Sequence, residues 1–173
     1  PTEKGFFEFT KKITQSPFSA RLSQAKVGDQ LIIRYPFGKF VYRRGEGRLV
    51  FLSGGIGITP IRGIARYLSD IGSSVEMMIL YGNRSEETIA FRDDFDRMQL
   101  QNARLKVVHI LSHPVAGWQG RVGRIDGRVI TEEIPDVKDR LFYLCGPPQM
   151  VEGLQKVLTA ELAHPADRIV TEH

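Results

Sequence analysis

Strand-helix alternation along most of the chain predicts an α/β fold, a doubly wound five-stranded parallel sheet preceded by a partial antiparallel β-barrel segment. Three observations carry this expectation. Apolar runs at residues 49–52, 75–81, 105–111, 141–145 and 168–170 have the length and β-branched or aromatic content of buried strands. Helical periodicity at 61–71, 91–100, 129–134 and 150–162 falls between or after them. The first residues differ: 5–13 alternates into a short apolar run, 19–22 reads as one helical turn, and 30–35 is a Leu-Ile-Ile strand closed by Pro36-Phe37-Gly38. Two or three strands are too few to close a barrel.

A chain of 173 residues is one ordinary domain, or one domain and a fragment of another. Glycine and charge interrupt the pattern at Arg44-Gly45-Glu46-Gly47, which places a boundary between residues 1–46, the end of a barrel domain, and 47–173, one α/β domain. The content, 42% apolar and 25% charged, is that of a globular protein with a sizeable core. No stretch approaches the roughly 18 apolar residues of a membrane span, and no charged-then-apolar leader opens the chain, so a soluble, cytoplasmic protein is expected. Pro1 in place of Met suggests a processed chain or a piece of a longer one, with sequence missing upstream.

Cysteine usage excludes two classes of function. The single Cys145 permits neither a disulfide framework nor an iron-sulfur cluster, which usually needs four thiolates. His109, His113, His164 and His173 show no ligand spacing, so no metal site is expected. Residues 1–48 carry 10 Lys and Arg against 4 Asp and Glu, and 49–173 carry 14 against 16, so +6 is followed by −2. A basic face could serve an acidic partner, but no aromatic ladder interleaves it, and nucleic acid is disfavoured.

The chemistry concentrates in two motifs. Leu49-Val50-Phe51-Leu52 runs into Ser53-Gly54-Gly55-Ile56-Gly57-Ile58-Thr59-Pro60 and then a helical pattern. Glycines after a buried strand let the backbone turn tightly and approach a ligand. Thr59 is expected as N-cap and Pro60 as the first helical residue, leaving free N–H groups that suit a diphosphate. A valine at Gly57 is expected to fill the phosphate's space and to disfavour positive φ without unfolding the domain. The pattern departs from the usual dinucleotide fingerprint, because Pro60 stands at the third glycine and Tyr81-Gly82-Asn83-Arg84 ends the second strand without an acidic residue. It is not a P-loop, and a Ser53 nucleophile would require glycine where Phe51 stands. The second motif, Cys145-Gly146-Pro147-Pro148-Gln149-Met150, follows another strand. Ligands of open parallel sheets lie outside the carboxyl ends of the strands, so both motifs can share one crevice. Cys145 reads equally as a small buried hydrophobe or as a functional group.

At these residues the sequence resembles the ferredoxin-NADP reductase superfamily of flavin-dependent NAD(P)H reductases. Gly54 to Pro60 is similar to that family's diphosphate loop, Tyr81 to Ser85 to its adenosine-side loop, and Cys145 to Met150 to its nicotinamide-side motif, in the family's order and spacing. The segments Ser112-His113-Pro114 to Gly120 and Gly123-Arg124-Ile125 resemble the loop before its fourth nucleotide-domain strand. Ser16 to Leu22 resembles its flavin-phosphate turn, with Ser16 where glycine is usual, and 27–40 the last part of its flavin barrel. The family's Arg-x-Tyr-Ser isoalloxazine segment is not in this sequence and would lie just before Pro1, and the aromatic that follows the terminal strand in relatives is missing or trimmed, the sequence stopping at His173.

The resemblance implies the NAD(P)H-binding part of a flavin-dependent oxidoreductase that passes hydride from NAD(P)H to FAD and electrons on to a protein acceptor or iron-sulfur domain elsewhere. It implies that Gly54, Gly55, Gly57, Thr59 and Pro60 hold the diphosphate, Gly82 and Arg84 the adenosine side, and Gly146, Pro147 and Met150 the nicotinamide side. Ser19 is implied at the flavin phosphate, and Cys145 and Glu172 in catalytic roles, bordering the nicotinamide and handling protons. A non-catalytic nucleotide-binding or partner-docking module is the alternative. NADH is expected over NADPH: Ile89 and Phe91 offer neither charge nor hydroxyl where NADP-using relatives offer both, Glu86 and Glu87 repel a 2′-phosphate, and Arg84 can stack on adenine. The chain alone is expected to retain little FAD.

Overall fold

The computed structural model describes residues 2, 4–34 and 38–172. Six parallel strands form one sheet: β1 Arg48–Gly54, β2 Glu76–Asn83, β3 Leu105–Leu111, β4 Arg121–Val122, β5 Leu141–Cys145 and β6 Ile169–Glu172, in the order β4-β3-β2-β1-β5-β6. The expected count of five is corrected to six, because β4, two residues at the edge beside β3, is too short to show a period. Helix α1 is Pro17–Ser23, and α2 Ile58–Asp70, α3 Arg92–Gln101, α4 Gly127–Glu133 and α5 Pro148–Lys156 connect the strands. A π-helical stretch, Val157–Glu161, prolongs α5.

Period-two alternation within the buried strands sends side chains to two cores. On one face Leu49, Phe51, Met77, Ile79, Tyr81 and Tyr143 meet Ile58, Ile61, Ala65 and Leu68 of α2 and Phe95 and Met98 of α3. On the other, Val50, Leu52, Leu80, Phe142 and Leu144 meet Ile130 of α4 and Val151 and Leu154 of α5. Because β1 is buried on both sides, it reads as a continuous apolar run rather than an alternating one. From β1 the chain winds outward through β2 to β4 and returns to β5 on the opposite flank of β1. That reversal falls at the carboxyl ends of β1 and β5, the place where sheets of this kind bind ligands.

The chain divides into two compact units, residues 3–39 and the remainder. Within 4–34, α1 is the regular element, capped by the Ser16 hydroxyl, which accepts from the Ser19 amide at 3.2 Å. The stretches expected as antiparallel strands, 5–13 and 30–34, form no ladder among the described residues. A strand exists only against a neighbouring edge. Tyr35, Pro36 and Phe37, the end of the second expected strand and its turn, lie outside the described residues, as does His173. Residues 40–46 pack on the sheet: Phe40 meets Tyr143 edge-to-face at 5.3 Å, and Tyr42 joins the same core.

Candidate functional site

Strand register brings the motif residues together at one end of the sheet. Gly54 on β1 is level with Gly82 on β2, Ser53 with Cys145 on β5, and Cys145 with Glu172 on β6. Beyond the strand ends the packing is tight. A methyl group placed on Gly57 would lie 2.4 Å from the Cys145 carbonyl oxygen and 2.6 Å from the Gly146 Cα. One placed on Gly54 would lie 2.5 Å from Met150 Sδ and 3.3 Å from Pro147 Cδ, and one on Gly146 would meet Met150 Cε at 2.7 Å. Gly54, Gly57, Cys145, Gly146, Pro147 and Met150 are therefore one contiguous floor.

Two details of the glycine loop correct the sequence reading. The chain leaves β1 through a 3₁₀ turn, Gly55–Gly57, and α2 begins at Ile58 with Gly57 as its N-cap, so Thr59 and Pro60 are the second and third helical residues, not the cap and first. Thr59 Oγ1 instead donates to the Ile56 carbonyl at 3.2 Å. Gly57 has φ −60°, an ordinary helical value; the backbone of Cys145 and Gly146 is what excludes a side chain there. The positive φ belongs to Gly55, at +54°, and a methyl group on it would meet nothing within 4 Å. Neither the 3₁₀ turn nor α2 has a side-chain cap; the Ile58 amide at the start of α2 donates back to the Gly55 carbonyl, which leaves the amides of the 3₁₀ turn as the ones an anion can meet.

Burial sets the chemistry of the polar groups. Cys145 is 7% exposed, and burial first, the Glu172 carboxylate second, push its thiol up to about 11. It is a neutral thiol at physiological pH, suited to bordering a ligand rather than attacking one. Ser53 Oγ is buried at the carboxyl end of β1 without a hydrogen-bond partner, and the buried Asn83 amide at the end of β2 sits against the Tyr81 phenol. Unsatisfied buried polar groups are rare and gather at functional sites.

The loop after β2, expected on the adenosine side, is built from local bonds. Ser85 and Thr88 cap a 3₁₀ turn reciprocally, Arg92 pairs with Glu86, and the Arg92 guanidinium lies 5.7 Å from the Trp118 ring centre. Arg84 is exposed, and its carbonyl accepts from the His113 amide at 2.8 Å. Phe91 takes φ +61° at the start of α3, with the Arg62 guanidinium 4.5 Å from its ring centre.

Ser19 belongs to the other compact unit, is buried, and has its hydroxyl 3.1 Å from Thr14 Oγ1. The sequence reading placed Tyr81 and Asn83 in the loop after β2 and set Ser53 aside as a nucleophile; it did not foresee that Tyr81 is fully buried with its hydroxyl on the glycine turn, for which the signal available was a phenol in a strand rich in Met, Ile and Leu. A hollow of ≈ 360 Å³ lined by Thr131, Ile134, Asp136 and Leu162 lies at the opposite end of the sheet. Its Asp136 is engaged by Arg140 and Arg48.

Comparison with known proteins agrees with this geometry. Residues 51–156 match the family model described as Oxidoreductase NAD-binding domain. NADH-cytochrome b5 reductase 1 of Aspergillus terreus is 31% identical over 179 residues, covering 98% of this chain and 60% of that protein. The nitrate reductase [NADH] of Cucurbita maxima is 33% identical over 175 residues, covering 87% of this chain and 19% of that protein. The crystal structure of the cytochrome b5 reductase domain of Ulva prolifera nitrate reductase superposes with a TM-score of 0.81 at 24% identity, covering 91% of this chain and 66% of that one, a likeness of fold. The chain spans about 60% of the length of the reductases it matches.

Proposed function

The chain belongs to the oxidoreductase NAD-binding domain family, and from that premise we propose that it is the NADH-binding part of an FAD-dependent oxidoreductase feeding a protein acceptor. One observation carries the reading. The glycine turn after β1 and the Cys145–Met150 segment after β5 meet at the sheet's switch point, with the uncapped 3₁₀ turn and the buried, unpaired Ser53 hydroxyl beside them. When bound, the nicotinamide supplies a hydride and the flavin accepts it.

The residues of this chain bind and orient. Gly55's open space and the N–H groups of the 3₁₀ turn receive the diphosphate. Gly82 and Arg84 flank the adenosine side, while Cys145, Gly146, Pro147 and Met150 form a wall for the nicotinamide. Glu172, one strand over from Cys145, holds a carboxylate at the same level. NADH is favoured over NADPH because Arg92, a cation of this loop, is already engaged by Glu86 and lies near Trp118, and because Glu87 adds negative charge.

The A. terreus and C. maxima relatives are by name reductases of cytochrome b5 and of nitrate. By extension a cytochrome b5-type haem protein, or a redox domain on adjoining sequence, is the acceptor here. Among the described residues no helix is long and apolar enough to cross a membrane; a cytoplasmic site of action remains part of the proposal. The test is anaerobic mixing of the full-length protein with NADH and with NADPH, following flavin bleaching. Faster bleaching by NADH, slowed in Cys145→Ser with little change in nucleotide affinity, supports the reading. A full-length protein that binds NADH and carries no flavin absorbance overturns it in favour of a non-catalytic nucleotide-binding module.

A further inference from the structure

A buried hydroxyl behind the glycine turn has no part in the reading above. Tyr81, on β2, is fully buried, with its ring centre 6.5 Å from Phe95 and 5.8 Å from His109. Its Oη donates to the Gly55 carbonyl at 2.9 Å and accepts from the Ala90 amide at 3.2 Å. Gly55 is the residue of the turn with positive φ, and Ala90 immediately precedes Phe91, which also takes positive φ. The phenol thus ties together two backbone segments at their least ordinary conformations.

We propose that Tyr81 is a positioning residue for dinucleotide binding, holding the Gly55 carbonyl inward so that the amide after it faces the diphosphate. The claim rests on the dinucleotide-site reading above. A planar trans peptide sets its C=O and the following N–H in opposite directions. With the Gly55 oxygen held toward the core by Tyr81 Oη and by the Ile58 amide, the Ile56 N–H points out of the turn. The bond from Ala90 into the phenol polarises the bond out of it, so the adenosine-side loop and the diphosphate turn strengthen one another through a single oxygen. Burial raises the phenol's pKa above its ordinary value, so it remains a donor throughout the neutral range.

A matched control exists in the same domain. Tyr143 on β5 is equally buried, and its Oη donates to the Val41 carbonyl at 3.0 Å and accepts from the Arg43 amide at 3.0 Å, away from the glycine turn. Tyr81→Phe and Tyr143→Phe each delete one phenol-to-carbonyl and one amide-to-phenol backbone hydrogen bond and keep the ring; Tyr81→Phe also removes the phenol's contact with the Asn83 side chain. Both should lower the melting temperature of the chain by similar amounts. Calorimetric titration with NADH and with ADP-ribose, below both transitions, should show affinity falling about five- to tenfold in Tyr81→Phe and unchanged in Tyr143→Phe. Unchanged affinity in Tyr81→Phe, or equal losses in both variants, overturns the proposal. A second measurement needs no variant: NADH should slow hydrogen exchange at the Ala90 amide of the unsubstituted chain, and unaltered exchange there counts equally against the strut. If the unsubstituted chain binds neither ligand, the dinucleotide site itself is wrong and Tyr81 has no role to play in it.

Discussion

The two ends of the sheet solve opposite problems with the same strands. At the amino end, charges satisfy one another: Arg48 pairs with Glu76, Asp136 and Asp139 at 3.9, 3.4 and 3.9 Å, and Arg140 pairs with Asp136 and Glu76 at 2.7 and 3.4 Å. At the carboxyl end, no ion pair joins Arg84 or Glu172 to another described residue. Glycines replace side chains at Gly54, Gly82 and Gly146, and the Ser53 hydroxyl is buried unpaired. One end closes the fold on itself. The other keeps polar capacity unspent, as a site for an anionic, hydrogen-bonding ligand requires.

Breaking the carboxyl end at its tightest contact should have the largest effect. Gly57→Val drives a branched side chain into the Cys145 and Gly146 backbone, which cannot move without shifting β5. A loss of about 3 kcal/mol or more in urea unfolding, or no folded protein, is expected. Gly55→Ala, where only positive φ is violated, should cost about 1–2 kcal/mol and leave a folded chain. Equal effects would mean that the turn is held by conformation and not by the close approach of β1 and β5.

The amino end should respond in stability alone. Arg140→Ala removes two ion pairs from a side chain that is 13% exposed and should lower stability by about 1–2 kcal/mol, less at high salt. NADH affinity should not change. The hydrogen bond from Arg140 is the main cause holding the Asp136 carboxyl below its usual range. In the parent that stability is present above the ordinary carboxylate pKa and is lost as pH falls through the lowered value, so Arg140→Ala should flatten the acid limb of the stability curve. An unchanged acid limb would separate Asp136 from the network.

The smallest effect belongs to two shielded histidines, His109 within β3 and His164 in the loop before β6. Burial lowers the pKa of His109 and of His164 below the ordinary value near 6.5. As pH drops below that value the unfolded chain takes up protons before the folded one, so stability should decline from about pH 6.5 downward. His109→Phe should reduce the slope. Urea midpoints at pH 7.5 and 5.5 give the comparison, and a midpoint independent of pH would contradict it.

How much of this was legible before any coordinates follows from where the information resides. The five longer strands and four helices of the sheet domain are periodic and apolar, and each lies within a few residues of its expected place. The loop chemistry was legible in outline, because glycine after a buried strand has few other uses, but not in detail. Gly57 and Gly55 exchange roles, since a close approach to Cys145 is a property of another strand, remote in sequence. The place of the Tyr81 hydroxyl on the glycine turn was hidden for the same reason: its significance lies in what neighbouring strands place beside it. The two-residue β4 is below the length at which alternation can be seen, and the expected strands of 5–13 and 30–34 lack a partner edge among the described residues.

The division between the two ends is tested most directly by backbone amide NMR of the unsubstituted chain titrated with NADH. Shifts should concentrate at Gly54 to Ile58, Gly82 to Ser85 and Cys145 to Met150, with Arg48, Glu76, Asp136 and Arg140 unmoved. Shifts centred on the ion-paired end, or on the hollow beside Asp136, would contradict the account.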